Sequence, residues 1–386
     1  YVYREPDISG YIYSMIACFL FAIPVWLVTR KSRKLSSRDG FALVTFAWLI
    51  VAVAGSLPFY FTGAIPNYTD AWFEAMSGVT TTGATIIGSQ ETLPHLTNGI
   101  ESLPKSILFW RSFLQWIGGM GIIVFTIAIL PLLGVGGVQL FKAEVPGPVA
   151  DKIKPRVKET AKILWMVYVG FTVLQMTLLG FAGMSWFDAI CHAFTTMPTG
   201  GFSTQNASIA AYTNPLIHYI IIFFMFIAGI NFALHFRVIT GKFSSMFKDY
   251  ELKVYSFTII IATSLIFLSI ATSRSDWSHD NLIISLFQSI AIMTGTGYAS
   301  ADYELWPYFC QLALFFLMFF GAMGGSTSGG MKLTRIILLF KYAATETRRM
   351  LHSRAIIPLR IGERSINDDI VRNTLGFFLI YLSIFV

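Results

Sequence analysis

The stretch SGVTTTGATIIG, residues 77–88, places three consecutive threonines and a glycine soon after an apolar and aromatic segment. Two later stretches have a similar composition, Thr199-Gly200-Gly201-Phe202 and Gly295-Thr296-Gly297-Tyr298. When Gly83 is superposed on the second glycine of each of these stretches, the sequences before them align without a gap. The chain therefore contains a repeated unit, and this repeat decides the fold.

Residues upstream of the three glycines support the same alignment. The pair Asp70-Ala71 coincides with Asp188-Ala189, and Phe73 coincides with Phe287. Each unit consists of an apolar span, a short amphipathic helix, a Thr/Gly segment and a second apolar span. One Thr-Thr-Gly alone is more typical of helix packing or a loop, but three copies in matching register predict the span, re-entrant loop, span arrangement of an ion pore.

The composition indicates a membrane protein. Of the 386 residues, 55% are hydrophobic and 13% are charged, whereas charged residues make up about a quarter of an ordinary soluble domain. Cys18, Cys191 and Cys310 lie in or beside apolar runs without close spacing, so they indicate neither a disulfide framework nor a zinc site. We predict an all-α polytopic membrane protein with its repeated units in a pseudo-fourfold arrangement around a central pore.

Apolar runs long enough to cross the hydrocarbon layer predict spans near residues 9–29, 41–62, 106–133, 160–183, 215–239, 253–272 and 307–341, with another opening near 370. Basic residues cluster after alternate spans, for example at Arg30-Lys31 and Arg348-Arg349. The positive-inside rule places these loops in the cytoplasm and the Thr/Gly segments outside. The net charge of +7 then reflects topology. Nucleic-acid binding is not expected, because that function favours basic residues interleaved with aromatic ones on a soluble domain.

The Thr/Gly segments have the chemistry of a cation filter. A dehydrated monovalent cation needs carbonyl oxygens in place of its water shell, and glycine permits the dihedral angles that point successive carbonyls at one axis. Threonine adds an uncharged hydroxyl acceptor. The predicted ion-binding residues are Thr81, Thr82, Gly83, Thr199, Gly200, Gly201, Thr296, Gly297 and Tyr298.

The short helices before these segments should orient their dipoles toward the ion. Asp70, Asp188 and the group His279-Asp280-Asn281 lie where each helix should begin, and we predict them as N-cap residues. The negative C-terminal ends of the helices would then point at the cation.

No catalytic arrangement is evident in the sequence, and we expect a protein that is not an enzyme. His192, His218 and His235 lack the spacing of metal ligands and suit helix ends or interhelical contacts. Acidic residues are scarce in the spans, which argues against a proton relay. Glu74 is an exception, and its place on a short helix suits dipole complementation or attraction of cations into an outer vestibule.

Longer motifs extend the comparison: QWIGGMGI at residues 115–122, LPLLGVGG at 130–137 and GGSTSGGMK at 324–332. Together with the Thr/Gly segments, they resemble the Trk/Ktr/HKT superfamily of potassium transporters, most closely its bacterial TrkH-type subunits. The resemblance implies four pore units in one chain, additional N-terminal helices, one key filter glycine per unit, potassium as the transported ion and no organic cofactor. It also implies a homodimer in the bacterial inner membrane with a cytosolic, nucleotide-binding TrkA-type ring as regulatory partner.

The repeat and the resemblance together divide the chain into five parts. They are an N-terminal helix with a basic loop (1–40), a first pore unit (41–150), a second (151–250), a third with a broken second helix (251–350) and an incomplete start of a fourth (351–386). The chain starts without Met and stops within an apolar run. We expect it to be part of a longer protein, since three quarters of a pore would leave filter backbone facing lipid.

The seventh span carries a glycine-rich interruption. As one straight helix, residues 307–341 would extend about 50 Å, more than the hydrocarbon core requires. The interruption lacks the Gly-Lys-Ser/Thr ending of a phosphate-binding loop. A packing site for small residues stays open, but we favour a non-helical loop that lines the pore below the filter. The resemblance implies a gate there, formed by Gly324, Gly325, Ser326, Thr327, Ser328, Gly329, Gly330 and Lys332.

The sequence thus predicts potassium uptake across the cytoplasmic membrane through a selective pore driven by the membrane potential, which contributes about 2.3 kcal/mol per charge per 100 mV. A sodium- or proton-coupled secondary transporter is an alternative, but inverted repeats are typical of that class, whereas these repeats share one orientation. A sodium-preferring member of the same pore family is a second alternative. In the family, serine at the first-unit glycine accompanies sodium preference, so Gly83 favours potassium.

Overall fold

The computed structural model describes residues 7–29, 37–88, 99–128, 157–352, 358–361, 364–366 and 368–385. Its helices, numbered α1 to α14, are Ile8–Thr29, Ser37–Phe61, Tyr68–Val79, Lys105–Ala128, Val157–Phe181, Trp186–Thr196, Pro215–Ala228, Phe232–Ile239, Ser244–Lys248, Tyr250–Arg274, His279–Met293, Tyr308–Phe319, Leu333–Leu351 and Asp368–Phe385. A short hairpin pairs β1 (Arg360–Ile361) with β2 (Arg364–Ser365) in antiparallel fashion. The predicted motif at 130–137 and most basic residues after the first and third spans lie outside the described residues.

Among the described residues, three groups of three helices repeat along the chain, α2-α3-α4, α5-α6-α7 and α10-α11-α12; in each, a short helix of 11–15 residues follows a helix of 25 residues. In each, the short central helix packs against both of its neighbours in the sequence. The second long helix of one unit also packs against the short helix of the next, α4 against α6 and α7 against α11. The units therefore follow one another around a common centre, where the residues after the short helices meet.

Several helices have the length and apolarity of membrane spans. Among the described residues, α1, α10 and residues Ala161–Phe181 of α5 qualify singly, and α7 with α8 qualifies as a pair. The outward surface of α1 carries exposed apolar side chains such as Leu20, Phe21 and Val28. Such a surface is stable facing lipid rather than water.

The span predicted over residues 215–239 is broken rather than one continuous helix. Helix α7 ends at Ala228, and α8 begins at Phe232 after a bend of 102°. Asn231 starts the new helix by accepting a hydrogen bond from the backbone N–H of Ala233 at 2.8 Å. Gly229 is needed at the break, because a Cβ there would lie 2.3 Å from the Tyr255 hydroxyl oxygen.

The region predicted as a seventh span is also divided. Helix α12 ends at Phe319 and α13 begins at Leu333. Between them the chain folds back on itself, with a parallel bridge between Phe320 and Met331 and a 2.7 Å hydrogen bond from the Gly321 N–H to the Met331 carbonyl. The glycine-rich stretch therefore forms a compact non-helical loop, residues 320–332, which we call the gate loop after the role that the sequence resemblance implies for it.

The gate loop packs against the break between α7 and α8. The Met323 N–H donates to the Gly229 carbonyl, and the Phe232 N–H donates to the Gly325 carbonyl, both at 3.1 Å. Each break thus satisfies backbone groups that the other leaves without helical partners. Both breaks border the largest buried apolar cluster, which also contains Phe287.

Candidate ion pathway

The short helices are capped by residues other than those predicted. The prediction of Asp70, Asp188 and the group His279-Asp280-Asn281 as N-caps is wrong, because the side chains that accept the first free N–H groups are those of Asn67, Ser185 and Ser278. The two aspartates lie instead in the first helical turn, where a negative charge still complements the helix dipole. Asp188 also accepts a 2.7 Å hydrogen bond from the Ser185 hydroxyl.

Each short helix is followed by the same backbone conformation. In every unit, the key glycine and the residue two positions before it have left-handed dihedral angles. The φ values are +57° and +81° at Thr81 and Gly83, +57° and +77° at Thr199 and Gly201, and +72° and +75° at Gly295 and Gly297. A left-handed threonine costs about 1–3 kcal/mol, so the surrounding structure must impose this conformation. The sequence repeat is therefore a structural repeat at the level of single residues.

The three Thr/Gly segments converge closely. A Cβ at Gly83 would lie 2.1 Å from the Gly200 carbonyl oxygen, and a Cβ at Gly201 would lie 1.8 Å from the Thr296 carbonyl oxygen. No side chain fits at either glycine. The first segment thus abuts the second and the second abuts the third, with carbonyl oxygens at both junctions.

Gln115 of α4 holds the second segment in place. Its Nε2 donates to the Gly200 carbonyl at 2.8 Å, and its Oε1 accepts from the Phe202 N–H at 3.1 Å. Gln115 is fully buried, so both hydrogen bonds are shielded from solvent. One side chain of the first unit therefore fixes the backbone on both sides of Gly201.

The glycines after Gln115 let α4 approach the segments themselves. A Cβ at Gly118 would lie 1.9 Å from the Val79 carbonyl oxygen, and a Cβ at Gly119 would lie 2.4 Å from the Pro198 Cβ. The motif at 115–122 thus serves as a support for the first two segments, a role that its sequence alone does not reveal.

A buried ion pair joins the first and second segments. The Arg111 Nε lies 2.6 Å from the Glu74 Oε1, and their side chains are 2% and 0% exposed. The interpretation of Glu74 as a vestibule charge is therefore wrong, because its carboxylate is sealed from solvent. It also accepts hydrogen bonds from the Thr85 hydroxyl and the Ile86 N–H, just after the first segment.

Arg111 extends this link to the second unit. Its guanidinium donates to the Ser203 carbonyl at 2.9 Å and lies 3.6 Å from the centroid of the Phe202 ring. Sequence reasoning missed Arg111 because it lies in an apolar run. An arginine far from the ends of a span pairs with another group or faces a water-filled cavity. This rule could have marked Arg111 as a candidate functional residue from the sequence.

The residues equivalent to Glu74 in the other units have similar contacts. His192 and Gln288 stand at the same register before their key glycines. The His192 Nε2 lies 3.0 Å from the Ser203 hydroxyl oxygen, and the Gln288 Nε2 donates to the Tyr298 carbonyl at 3.4 Å. One polar side chain from each short helix thus steadies the chain after the segment.

The other two histidines contact backbone carbonyls. The His218 Nε2 lies 2.7 Å from the Tyr212 carbonyl oxygen, and the His235 Nε2 lies 2.9 Å from the Ile227 carbonyl oxygen. The first contact ties the start of α7 to the loop before it, and the second joins α8 to the end of α7, which agrees with the role expected for the histidines.

The gate loop lies against the end of α6. The Thr327 hydroxyl donates to the Met197 carbonyl at 2.9 Å and approaches the Ala228 carbonyl at 3.3 Å. Met197 is the C-cap of α6, directly before the second Thr/Gly segment. The Lys332 ammonium donates to loop carbonyls, those of Ser326 and Ser328. The loop therefore meets the second segment from the side of its short helix.

Glu251 joins the glycine-rich part of the loop to the start of α13. Its Oε1 accepts from the Gly324 N–H at 2.9 Å and from the Thr334 hydroxyl at 2.5 Å. The residue is 2% exposed. Glu251 is a second site residue that sequence reasoning missed, since its position in the first turn of α10 suggests simple dipole complementation.

Comparison with known proteins agrees with this architecture. The model of the TrkH family, described as a cation transport protein, matches residues 10–386. The Trk system potassium uptake protein TrkH of Escherichia coli K12 is 38% identical over 400 residues, which cover 100% of this chain and 79% of that protein. The TrkH of Halomonas elongata is 41% identical over 371 residues, which cover 94% and 74% of the two chains.

A solved structure has the same fold. The crystal structure of the potassium transporter TrkH from Vibrio parahaemolyticus superposes with a TM-score of 0.88 at 36% identity, covering 100% of this chain and 78% of that one. The predicted fold class, an all-α polytopic membrane protein built from repeated helix–loop–helix units, is thereby confirmed, as is the resemblance noted from the sequence motifs. The chain belongs to the TrkH family of cation transport proteins.

Proposed function

We propose that this chain takes up potassium across the bacterial inner membrane through a selective pore. The observation that carries the proposal is the convergence of three Thr/Gly segments with matching left-handed dihedral angles and with carbonyl oxygens at their junctions. Backbone carbonyls held at fixed spacing can replace the water shell of a monovalent cation. The names of the relatives, potassium uptake proteins of the Trk system, supply the ion.

The roles of single residues follow from this proposal. The key glycines and their preceding residues form the filter: Thr81, Thr82, Gly83, Thr199, Gly200, Gly201, Thr296 and Gly297, with Tyr298 beside them. The driving force is the membrane potential. The pore units are those predicted from the repeat, over residues 41–150, 151–250 and 251–350, with a fourth opening within 351–386.

We further propose that the gate loop closes the pathway below the filter. The support is its compact non-helical form, its hydrogen bond to Met197 at the end of α6 and its anchoring by Glu251. Lys332 adds a positive charge to the loop, which disfavours cations while the loop stays in place. The resemblance to the family supplies the remaining partners, a second copy of the chain and a cytosolic nucleotide-binding ring.

Flux measurements test the central proposal. Full-length protein in liposomes should take up radioactive rubidium when a potassium gradient sets the potential, and potassium should block this uptake while choline should not. Uptake that ceases when the potential is shorted supports a passive pore. Uptake that persists without a potential, but requires a sodium or proton gradient, would instead show a coupled transporter.

Gly83→Ser tests the ion specificity. The new side chain would meet the Gly200 carbonyl oxygen, 2.1 Å from the Cβ position, so we expect weaker discrimination of potassium from sodium. Gly170→Ser is the matched control, because a Cβ at Gly170 meets no atom within 4 Å. Reversal potentials in mixed gradients report the outcome. Unchanged reversal potentials in Gly83→Ser would show that Gly83 does not line the filter.

A further inference from the structure

In the second and third units, the residue after the key glycine packs against the preceding unit. Tyr298 follows Gly297 of the third unit, and its hydroxyl oxygen lies 2.5 Å from the Thr195 Oγ1 and 3.2 Å from the Thr196 Oγ1, both on α6 of the second unit. Its side chain is fully buried. The Tyr298 hydroxyl therefore faces the neighbouring short helix and is shielded from a passing ion.

The junction between the first two units has the same geometry with different chemistry. Phe202 follows Gly201, and its ring edge lies 3.5 Å from where a Cβ of Gly78 would stand on α3. Gly78 and Thr196 occupy the same register before their key glycines. At the junction of the first and second units, the Phe202 ring thus packs against Gly78. At the junction of the second and third units, the Tyr298 hydroxyl contacts threonine.

The direction of the hydrogen bond at Tyr298 follows from its neighbours. The Thr195 hydroxyl donates to the Cys191 carbonyl at 3.0 Å, and the Thr196 hydroxyl donates to the His192 carbonyl at 2.7 Å. Each threonine has one O–H donor, so these backbone bonds occupy both donors. The Tyr298 O–H is then the donor, and its nearest acceptor is the Thr195 Oγ1 at 2.5 Å, with the His192 carbonyl oxygen on the same helix 3.2 Å away. A phenylalanine at 298 would leave this contact unmade.

We propose that the Tyr298 hydroxyl is a positioning group that fixes the third filter segment against α6 and thereby sets the discrimination between potassium and sodium. This inference rests on the proposed function. Sodium is the smaller ion, and a carbonyl cage that can contract around it loses its preference for potassium. A segment tied to the rigid helix of its neighbour resists that contraction. Tyr298 acts on selectivity through the backbone carbonyls beside it.

The experiment compares Tyr298→Phe, Thr195→Val and the double variant in full-length protein reconstituted in liposomes. The potassium-to-sodium permeability ratio should fall by roughly 2- to 10-fold in Tyr298→Phe, the range that one ordinary hydrogen bond represents. Rubidium uptake should persist. Because both changes break the same contact, the double variant should lose no more than the stronger single variant.

Tyr168→Phe is the matched control. It removes a buried tyrosine hydroxyl that donates to the Trp116 carbonyl at 3.0 Å, between α5 and α4. It should lower the melting temperature as much as Tyr298→Phe does but leave the permeability ratio unchanged. A wild-type ratio in Tyr298→Phe, or losses in the single variants that add in the double variant, would overturn the proposal.

The proposal also stays testable if Tyr298→Phe does not fold or if the unaltered protein shows no uptake. If Tyr298→Phe does not fold, Thr195→Val and Thr196→Val remove the two threonine acceptors, and a wild-type permeability ratio in both would overturn the proposal. If the unaltered protein takes up no rubidium, the proposed function fails. In that case the hydroxyl contact is still tested by a double-variant cycle on melting temperature, where additive effects of Tyr298→Phe and Thr195→Val would refute the contact itself.

Discussion

Replacing Arg111 by alanine should destabilise the protein severely. The substitution removes the 2.6 Å contact with Glu74, the hydrogen bond to the Ser203 carbonyl and the contact with the Phe202 ring. It also leaves the Glu74 carboxylate buried without its cation. The first and second Thr/Gly segments lose their common anchor, so under the proposed function potassium selectivity should fall together with stability.

The magnitude follows from these contacts. A hydrogen bond to a charged group contributes about 1.5–3 kcal/mol, and the ring contact contributes about 0.5–2 kcal/mol. Breaking a buried ion pair by removing one partner costs about 3–5 kcal/mol in total. Each kcal/mol of lost stability lowers the melting temperature by about 2–4 °C. With the lower value, the loss of about 3–5 kcal/mol corresponds to a fall of roughly 6–10 °C.

Thermal unfolding in detergent, followed by tryptophan fluorescence, measures the effect. Arg372→Ala is the matched control, because it breaks an ion pair with Asp369 whose side chains are 76% and 75% exposed. Such a pair contributes about 0.3–0.5 kcal/mol, which corresponds to about 1 °C.

A double variant separates the charge effect from packing. Arg111→Met combined with Glu74→Gln leaves no charge at this buried site, and it should be more stable than Arg111→Met alone. Equal melting temperatures for Arg111→Ala and Arg372→Ala would refute the reasoning. So would a double variant less stable than Arg111→Met.

Three other predictions concern the filter and the gate loop. Gly201→Ala should abolish rubidium uptake, since its Cβ would lie 1.8 Å from the Thr296 carbonyl oxygen, whereas Gly63→Ala has a similar φ of +76° and open space and should cost about 1–2 kcal/mol with normal uptake. Glu251→Ala should raise uptake by freeing the Gly324 N–H and the Thr334 hydroxyl. Glu251→Gln keeps an acceptor and should change uptake less, and equal uptake in both variants would contradict the anchoring role. Deleting residues 324–330 should also raise uptake, and a folded deletion variant with unchanged flux would disprove the gate.

The sequence predicts the repeated architecture well because the repeat is carried by spacing. The residues before each key glycine align without a gap, and the same left-handed angles recur at Gly83, Gly201 and Gly297. The division near residues 324–330 was likewise predictable, since clustered glycines destabilise a helix. Both features are local, and local features depend on near neighbours in the chain.

Contacts between distant residues were not predictable in the same way. The pairing of Arg111 with Glu74 and the anchoring of the gate loop by Glu251 depend on which helices become neighbours. The break near Gly229 lies in a strongly apolar run, where hydropathy hides a single glycine followed by a capping asparagine. The N-cap error has a simpler cause, because an acidic residue favours the first turn as well as the cap.

The hydrogen bonds between the two helix breaks connect the gate loop to two units of the chain. The loop belongs to the third unit, yet Gly229 and Phe232 of the second unit bind its backbone on both sides of Gly324. Withdrawing the loop would therefore require the second unit to give up two backbone bonds or to travel with it. A displacement of α8 should therefore move the loop through these two bonds, which couples the second unit to the third.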